Sequence, residues 1–332
     1  MSFNIRYDAA QDGLDRWPLR RPDVVGHLRR TAPDLIGLQE VLRRQLDDLG
    51  ALSGYASVGV GRDDGRDAGE FAPILYRTDR LAVLETSTFW LSDQPTVPGS
   101  RSWGNTITRI CTWARFNDRA TGTPFYLYNV HLDHESQPSR ERSVAALLDS
   151  IRARRYPEDR VLITGDFNAG EDNPAVRAMV AAFRDSWRTA HRSDTIAGTF
   201  NAFRGDSTGP KIDFIFMGEG WEVADAGIDR ARTAGGRHLS DHFAVTARVR
   251  PTPLCTACVP VEVVPGEPME LAPMAVTTTR VERRVEDQTL RVEVVDPEEV
   301  AEKVAMTPGD IAMLLNETGG LRVQNTSPAL GA

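Results

Sequence analysis

Eight polar residues stand at the ends of apolar, strand-like runs, where a rigid sheet can hold side chains together in a cleft. Asn4 lies in "SFNIRYD", Glu40 follows "LIGLQ", His131 follows "LYNV", Asp166 and Asn168 follow "VLITG", Asp213 follows "KI", and Asp241 with His242 precede "FAVTARV". Asn4, Glu40, Asp166, Asn168 and Asp241 are hard oxygen donors of the kind that hold Mg2+ or Mn2+ through a few carboxylates and several waters. Of two histidines, one can move a proton, and a protonated one can hydrogen-bond to a phosphate oxygen as negative charge builds. Together these residues make an inventory for phosphoryl transfer.

Each of them alone has a plainer reading. An Asp or Asn beside Gly at a strand end is ordinarily a turn or cap, and "GDFNAGEDNP" by itself reads as a polar loop entering a helix. "HLDHE" spaces two histidines as zinc ligands at i and i+3, but that pairing faces one metal only on a helix, and "FYLYNV" before it argues strand. His27 and His191 read as helix-surface residues. In "GGRHLSDHFAV", His238 reads as a loop residue or peripheral contact, and Ser240 as a residue that bonds the local backbone and shapes the turn.

The elements that must position these side chains are legible as alternating short runs. Strand candidates are "SFNIRYD", "LIGLQEV", "APILYR", "LAVLETSTFWLS", "ITRICTWARF", "PFYLYNVHL", "RVLITGDFN", "KIDFIFM", "WEVADAGI" and "FAVTARV", rich in Val, Ile, Phe, Tyr and Thr. Helical periodicity covers 21–31, 42–52, 139–155 and 174–190, with Ser139 after Pro138 as a cap and Asn173-Pro174 as a cap followed by a first-turn proline. Many strands are neighbours without a helix between them, which excludes a simple doubly wound parallel sheet. The expected fold is α/β, a four-layer α-β-β-α sandwich of two packed mixed sheets flanked by helices.

"FNIRYD", "LIGLQEV", "GEFAPILYR", "FWLSD", "YNVHLDHES", "ITGDFNA", "KIDFIF" and "HLSDHFAV" together resemble the endonuclease/exonuclease/phosphatase family, the DNase I-like fold, in order and approximate spacing over residues 2–250. The resemblance implies a phosphodiesterase or phosphatase using in-line attack by water, with a nuclease as the alternative and a non-catalytic binding module on the same fold as a further one. It implies Glu40 as the metal-binding glutamate, with Asn4 and Asp241 close to the same Mg2+ or Mn2+ ion. It makes Asp166 the residue that orients or deprotonates the water, and Asn168 a phosphate holder. His242 would contact the scissile phosphate, with Asp213 fixing its tautomer and favouring its charged form. His131 would be the second phosphate-side histidine, paired with Glu70, and Arg109 and Tyr76 would be further phosphate-side groups. "FWLSDQPTVPGSRSWG" resembles a loop of secreted or periplasmic bacterial members, and its Trp90 and Trp103 are candidates for the cleft wall against the plainer expectation of core residues.

Composition narrows the substrate and divides the chain. Residues 251–332 carry 13 Asp and Glu against 6 Lys and Arg, which leaves the first 250 residues near neutral out of a total of −8. A strong basic field for gripping nucleic acid through its phosphates is therefore missing, and a small or lipid-like phosphate ester is favoured over long DNA. Residues 251–275 read as a Pro-rich linker, with Cys255 and Cys258 forming half a zinc site or a short-loop disulfide, while Cys111 reads as a buried small hydrophobe. Residues 274–332 resemble the start of a TonB-dependent receptor plug domain, too short to bury that domain's core, so a poorly ordered or partial segment is expected over 276–332. No stable protein partner is implied and a monomer is expected. "MSFNIRYD" lacks a charged region followed by an apolar one, so no signal peptide is read there, although the tail suggests a periplasmic or secreted setting.

Overall fold

The computed structural model describes residues 1–191 and 198–252. The linker beyond its first two residues, with Cys255 and Cys258, and the plug-like segment over 276–332 lie outside them.

The chain opens with β1 (Ser2–Asn4), α1 (Trp17–Thr31), β2 (Leu35–Gln39), α2 (Arg43–Leu49), β3 (Tyr55–Val58) and β4 (Ile74–Arg77). There follow β5 (Leu81–Trp90), β6 (Ile110–Asp118), β7 (Pro124–His131), α3 (Gln137–Arg152), β8 (Arg160–Asp166) and α4 (Pro174–Ala182). The last elements are β9 (Arg184–Asp185), α5 (Ser186–Ala190), β10 (Asp213–Met217), β11 (Trp221–Asp229) and β12 (Ala244–Pro251). Two six-stranded mixed sheets result, in the orders β11-β12-β1-β2-β4-β3 and β5-β6-β7-β8-β10-β9. Each sheet has one parallel pair near its middle, β1 with β2 and β7 with β8.

Strand periodicity of two sorts the side chains into layers. On β7, Phe125 and Leu127 enter the core between the sheets with Phe116, Leu162 and Met217, whereas Tyr126, Tyr128 and Val130 meet α3 and α4 through Val144, Leu147 and Met179. On the first sheet Phe3, Ile36 and Leu38 meet Trp17, Val24 and Leu28 of α1. The expected order of helix, sheet, sheet, helix is therefore the observed one.

Toward the carboxyl ends of β2, β7 and β8 the sheets approach so closely that polar side chains join them. Asn129 Oδ1 accepts from Gln39 Nε2 at 2.8 Å and from Thr164 Oγ1 at 2.9 Å, while its Nδ2 donates to the backbone oxygens of Leu38 and Pro73. Gly37 makes the approach possible, since a Cβ there would lie 2.0 Å from Thr164 Oγ1 and 2.5 Å from Asn129 Oδ1. We expect Gly37→Ala to destabilise the domain by about 1–3 kcal/mol through overpacking, read as a lower urea midpoint at unchanged m.

All ten expected strands form, but three local expectations change. The helix over 174–190 breaks at Phe183, which is extended at φ −138°, ψ 151°; Arg184 and Asp185 then pair with β10, and the Asp185 carboxylate accepts from Trp187 N to start α5. Lys211 Nζ, 2.9 Å from Asp185 in the interior, holds that break. Ser136, not Ser139, caps α3, with Pro138 in the first turn. His27 is buried instead of exposed, because its face of α1 turns toward Asp229 at the end of β11, 2.8 Å from its Nε2. His191 ends α5, half-buried and stacked on Trp187.

Candidate active site

Alternation along the strands delivers the polar residues to one place. Asn4 on β1, His131 on β7 and Asp166 on β8 share the face that carries the core between the sheets, at the carboxyl ends of their strands. Asp213 opens β10, but the antiparallel register sets it opposite Asp166, at the same end. Glu40 follows β2, where strict alternation would turn it toward α1; a left-handed backbone at φ 60° brings it into the cleft. Five of the seven non-glycine residues with positive φ among the described residues, Arg6, Glu40, Asn168, Ala202 and Phe203, line this cleft of about 820 Å³. Such conformations cost about 1–3 kcal/mol each and persist where the surroundings over-determine them, as at ligand sites.

Asp166 Oδ2 is the focal atom. It accepts from Asn4 Nδ2 at 2.9 Å and lies 3.7 Å from the Nε2 atoms of both His131 and His242. Its other oxygen accepts from Asn168 N at 2.8 Å. His242 Nδ1 donates to Asp213 Oδ2 at 2.9 Å, and His131 Nδ1 is 3.8 Å from Glu70. Asn4 Nδ2 also donates to Glu40 Oε1 at 3.0 Å, so Asn4 ties Glu40 to Asp166 and presents its amide nitrogen to both carboxylates. Ser240 Oγ donates to Asn4 O at 2.7 Å and lies 3.2 Å from Asp241 Oδ1, joining the loop before β12 to β1. Arg20 of α1, fully buried, strengthens the joint by donating to the carbonyls of Ile5, Arg6, Asp15 and Leu239.

Glu40 and Asp241, with side chains only 13% and 10% exposed, face the same cleft, and Arg6 lies 3.8 Å from each. Hard, like-charged oxygen donors gathered in this way fit a divalent cation. Asp166, Asp213 and His242 also bring one donor atom each within 4.8 Å of the others.

The electrostatics push the titratable groups apart. Burial, opposed by His242, raises Asp241, to which Glu40 adds. Burial and the charge of Asp213 push Asp166 up to about 7. His242 is disfavoured as a cation by burial, yet Asp213 and Asp166 more than reverse this and hold it charged, well above its ordinary value. His131 goes the other way: burial and then the guanidiniums of Arg109 and Arg62 lower it well below 6.5. One histidine is charged and its neighbour neutral at neutral pH, a division of labour that acid–base chemistry needs. Asp213→Asn removes the charge that raises both Asp166 and His242. If activity needs Asp166 ionised and His242 protonated, both limbs of the pH profile of kcat/KM should move to lower pH; an unmoved acid limb would contradict this.

The structure brings ten of the eleven expected residues to or beneath the cleft. The exception is Tyr76, which lies on β4 in the core between the sheets, 5.3 Å from the Phe116 ring, because β4 alternation turns it inward. Neither tryptophan lines the cleft: Trp90 is buried with its Nε1 on Arg62 O, and Trp103 donates to Asp93 while packing on the core beneath α3. His238 is buried beside Arg232 and the Phe243 ring, outside the cleft. Arg6, Arg62 and Phe200 line the cleft without having been singled out, and so does His134, which the sequence offered only as half of a zinc pair. For Arg6 and Arg62 no sequence signal existed, since each sits in a turn whose direction depends on packing; Phe200 stands 5.2 Å edge-on from His242.

The sequence pattern of the Endonuclease/Exonuclease/phosphatase family matches residues 1–242. The fold is similar to the endonuclease/exonuclease/phosphatase from Bacteroides vulgatus, at 37% identity and TM-score 0.71, covering 75% of this chain and 97% of that one. It is also similar to the mannosyl-6-phosphatase of Bacteroides thetaiotaomicron VPI-5482, at 33% identity and TM-score 0.69, over 75% of this chain and 98% of that one. D. rerio TDP2, solved with a single strand DNA product, shares the fold at 19% identity and TM-score 0.61, over 75% and 97%. No curated protein matches the sequence.

Proposed function

The chain belongs to the Endonuclease/Exonuclease/phosphatase family, and on that premise we propose that it hydrolyses small phosphate esters by in-line attack of water, assisted by Mg2+ or Mn2+. The observation that carries this reading is Asp166 Oδ2 between two histidines, each 3.7 Å away, one paired with Asp213. Those gaps exceed direct hydrogen bonds, and an oxygen of water or phosphate seated beside the three atoms can bond to the carboxylate and an imidazole together.

In this reading Asp166 Oδ2 takes a proton from the attacking water. Asp213 holds Nδ1 of His242, so that Nε2–H points at a phosphate oxygen and strengthens its hydrogen bond as charge develops there. His131, neutral, offers a second contact on the other side. Asn168 commits one N–H of its Nδ2 to Leu132 O and keeps the other for the phosphate. A divalent ion held by Glu40 and Asp241 would polarise a phosphoryl oxygen and take up developing charge. The water oxygen bonds to phosphorus as the bond to the alcohol oxygen breaks, and no covalent link to the protein is formed.

A small substrate is supported by the near-neutral first 250 residues and by the relative named for mannosyl-6-phosphate chemistry. The test is protein stripped with EDTA and reloaded with Mg2+ or Mn2+, assayed on mannose 6-phosphate, p-nitrophenyl phosphate, bis-p-nitrophenyl phosphate, lyso- and sphingo-phospholipids and plasmid DNA. Metal-restored hydrolysis of the small esters is the expected result. Inactivity on every substrate with metal present would overturn the proposal, and cleavage of DNA alone would replace it with a nuclease.

A further inference from the structure

The two sides of the cleft differ in how their arginines are held. On the Glu40 side Arg6 is enclosed by acids, bonded to Asp12 at 3.0 Å and 3.8 Å from both Glu40 and Asp241. Beyond His131 the cleft holds two further guanidiniums, whose carboxylate partners are Glu70, Asp63 and Asp133. Arg109 on the approach to β6 has a side chain only 3% exposed, with Nε 3.4 Å from Asp133 and NH2 3.0 Å from His134 Nδ1. Asp133 is itself shared, since its Oδ1 accepts from Glu135 N and Ser136 N. Arg62, in the turn after β3, donates NH1 to Glu70 at 2.7 Å, while its Nε, 3.9 Å from Asp63 Oδ1, is buried without a hydrogen-bond partner among the described residues.

Buried cations set close together are costly unless an anion joins them. After burial, the charge of Arg62 is the largest influence lowering Arg109. Past Arg62 and Ile107 the cleft continues into a second hollow of about 400 Å³, which also presents Arg101, Thr106 and Thr108 together with the half-exposed Asp63. Nothing in the in-line mechanism uses this side, and one phosphate does not need it: the scissile group has His131, His242, Asn168 and the carboxylate-held cation.

We infer that Arg62 and Arg109, with His134 beside them, form a second anion subsite that takes a further phosphate carried by the alcohol part of the same small substrate. This rests on the phosphate-ester reading of the neighbouring centre. Two guanidinium forks, with the Nε2–H of His134, whose Nδ1 accepts from Arg109, offer more donors than a carboxylate can accept from one direction, whereas a phosphate's three terminal oxygens can accept from several sides. Arg62, Arg109 and His134 line the same cleft as His131 and His242, and the first 250 residues are near neutral, so both phosphates belong to one small molecule and not to a long polyanion.

The test is calorimetric binding to the full chain carrying Asp166→Asn, which slows turnover, with Mg2+ present and fructose 6-phosphate and fructose 1,6-bisphosphate as probes. The bisphosphate should bind roughly tenfold tighter or more, the scale of hydrogen bonds to charged groups. Arg62→Met should remove most of that preference. Equal binding of the two sugars, or a preference that survives Arg62→Met in a folded protein, overturns the inference. Should Arg62→Met fail to fold, Glu70→Gln decides: freeing Arg62 of its carboxylate should increase the preference, and an unchanged or smaller ratio counts against the subsite. Hydrolysis of p-nitrophenyl phosphate by the unmutated chain is read separately, so loss of the phosphate-ester reading and loss of the subsite give different results.

Discussion

Asp166→Asn is expected to lower kcat by about 10²–10⁴-fold, the range general-base catalysis contributes, with a much smaller change in KM. The substitution keeps the size of the side chain and an oxygen for Asn168 N, but removes the carboxylate that faces both histidines. It should not unfold the domain. Burial and Asp213 push the Asp166 carboxyl up from 3.8 to about 7, so in metal-free protein folding binds a proton between those values. The Asp166 contribution to the stability of the unmutated domain should therefore fall as pH rises from about 4 to about 7 and level off above, so the difference in stability between the unmutated domain and the asparagine variant carries that slope. Thermal melts across that window and single-turnover kinetics check the two halves. Near-normal turnover in the variant would remove Asp166 from the role proposed for it.

His242→Ala is the second large effect, an expected loss of about 10²–10³-fold in kcat/KM, comparable to removing a preorganised donor at the developing charge. It also leaves Asp213 buried without its partner, and Asp213 Oδ1 already lacks a hydrogen bond among the described residues. The melting temperature should fall as well, so activity is to be read well below the transition. His238→Ala is the control. That side chain packs against Phe243 and the 205 turn, outside the cleft, and its removal should change kcat/KM by less than about threefold, as for positions remote from the reacting groups. Equal losses at the two histidines would mean that the cleft has been assigned to the wrong residues.

Much of the molecule was legible because local chemistry follows local sequence. Runs of β-branched and aromatic residues became strands, and the residues at their ends, Asn4, His131, Asp166 and Asp213, reached one cleft because each strand's alternation fixes its faces. β3 was missed because "YASV" is a half-exposed edge strand with little apolar pattern, and β9 because two residues carry no periodicity. The helix over 174–190 was misread for a different reason. Its amphipathic pattern is real, but pairing of Arg184 and Asp185 with β10 and the buried Lys211–Asp185 ion pair outweigh it.

The sequence by itself determined the layers, the residue types at the strand ends and the family those residues resemble. Tertiary structure alone decided that Tyr76 belongs to the core, that Glu40 and Arg6 turn into the cleft through left-handed backbones, and that Arg62, Arg109 and His134 meet beyond His131. The physical reason is range. Alternation and propensity act over a few residues, whereas the register of β7 with β8, the closeness of the sheets at Gly37 and the packing of turns set which side chains face one another across separations of tens to hundreds of residues.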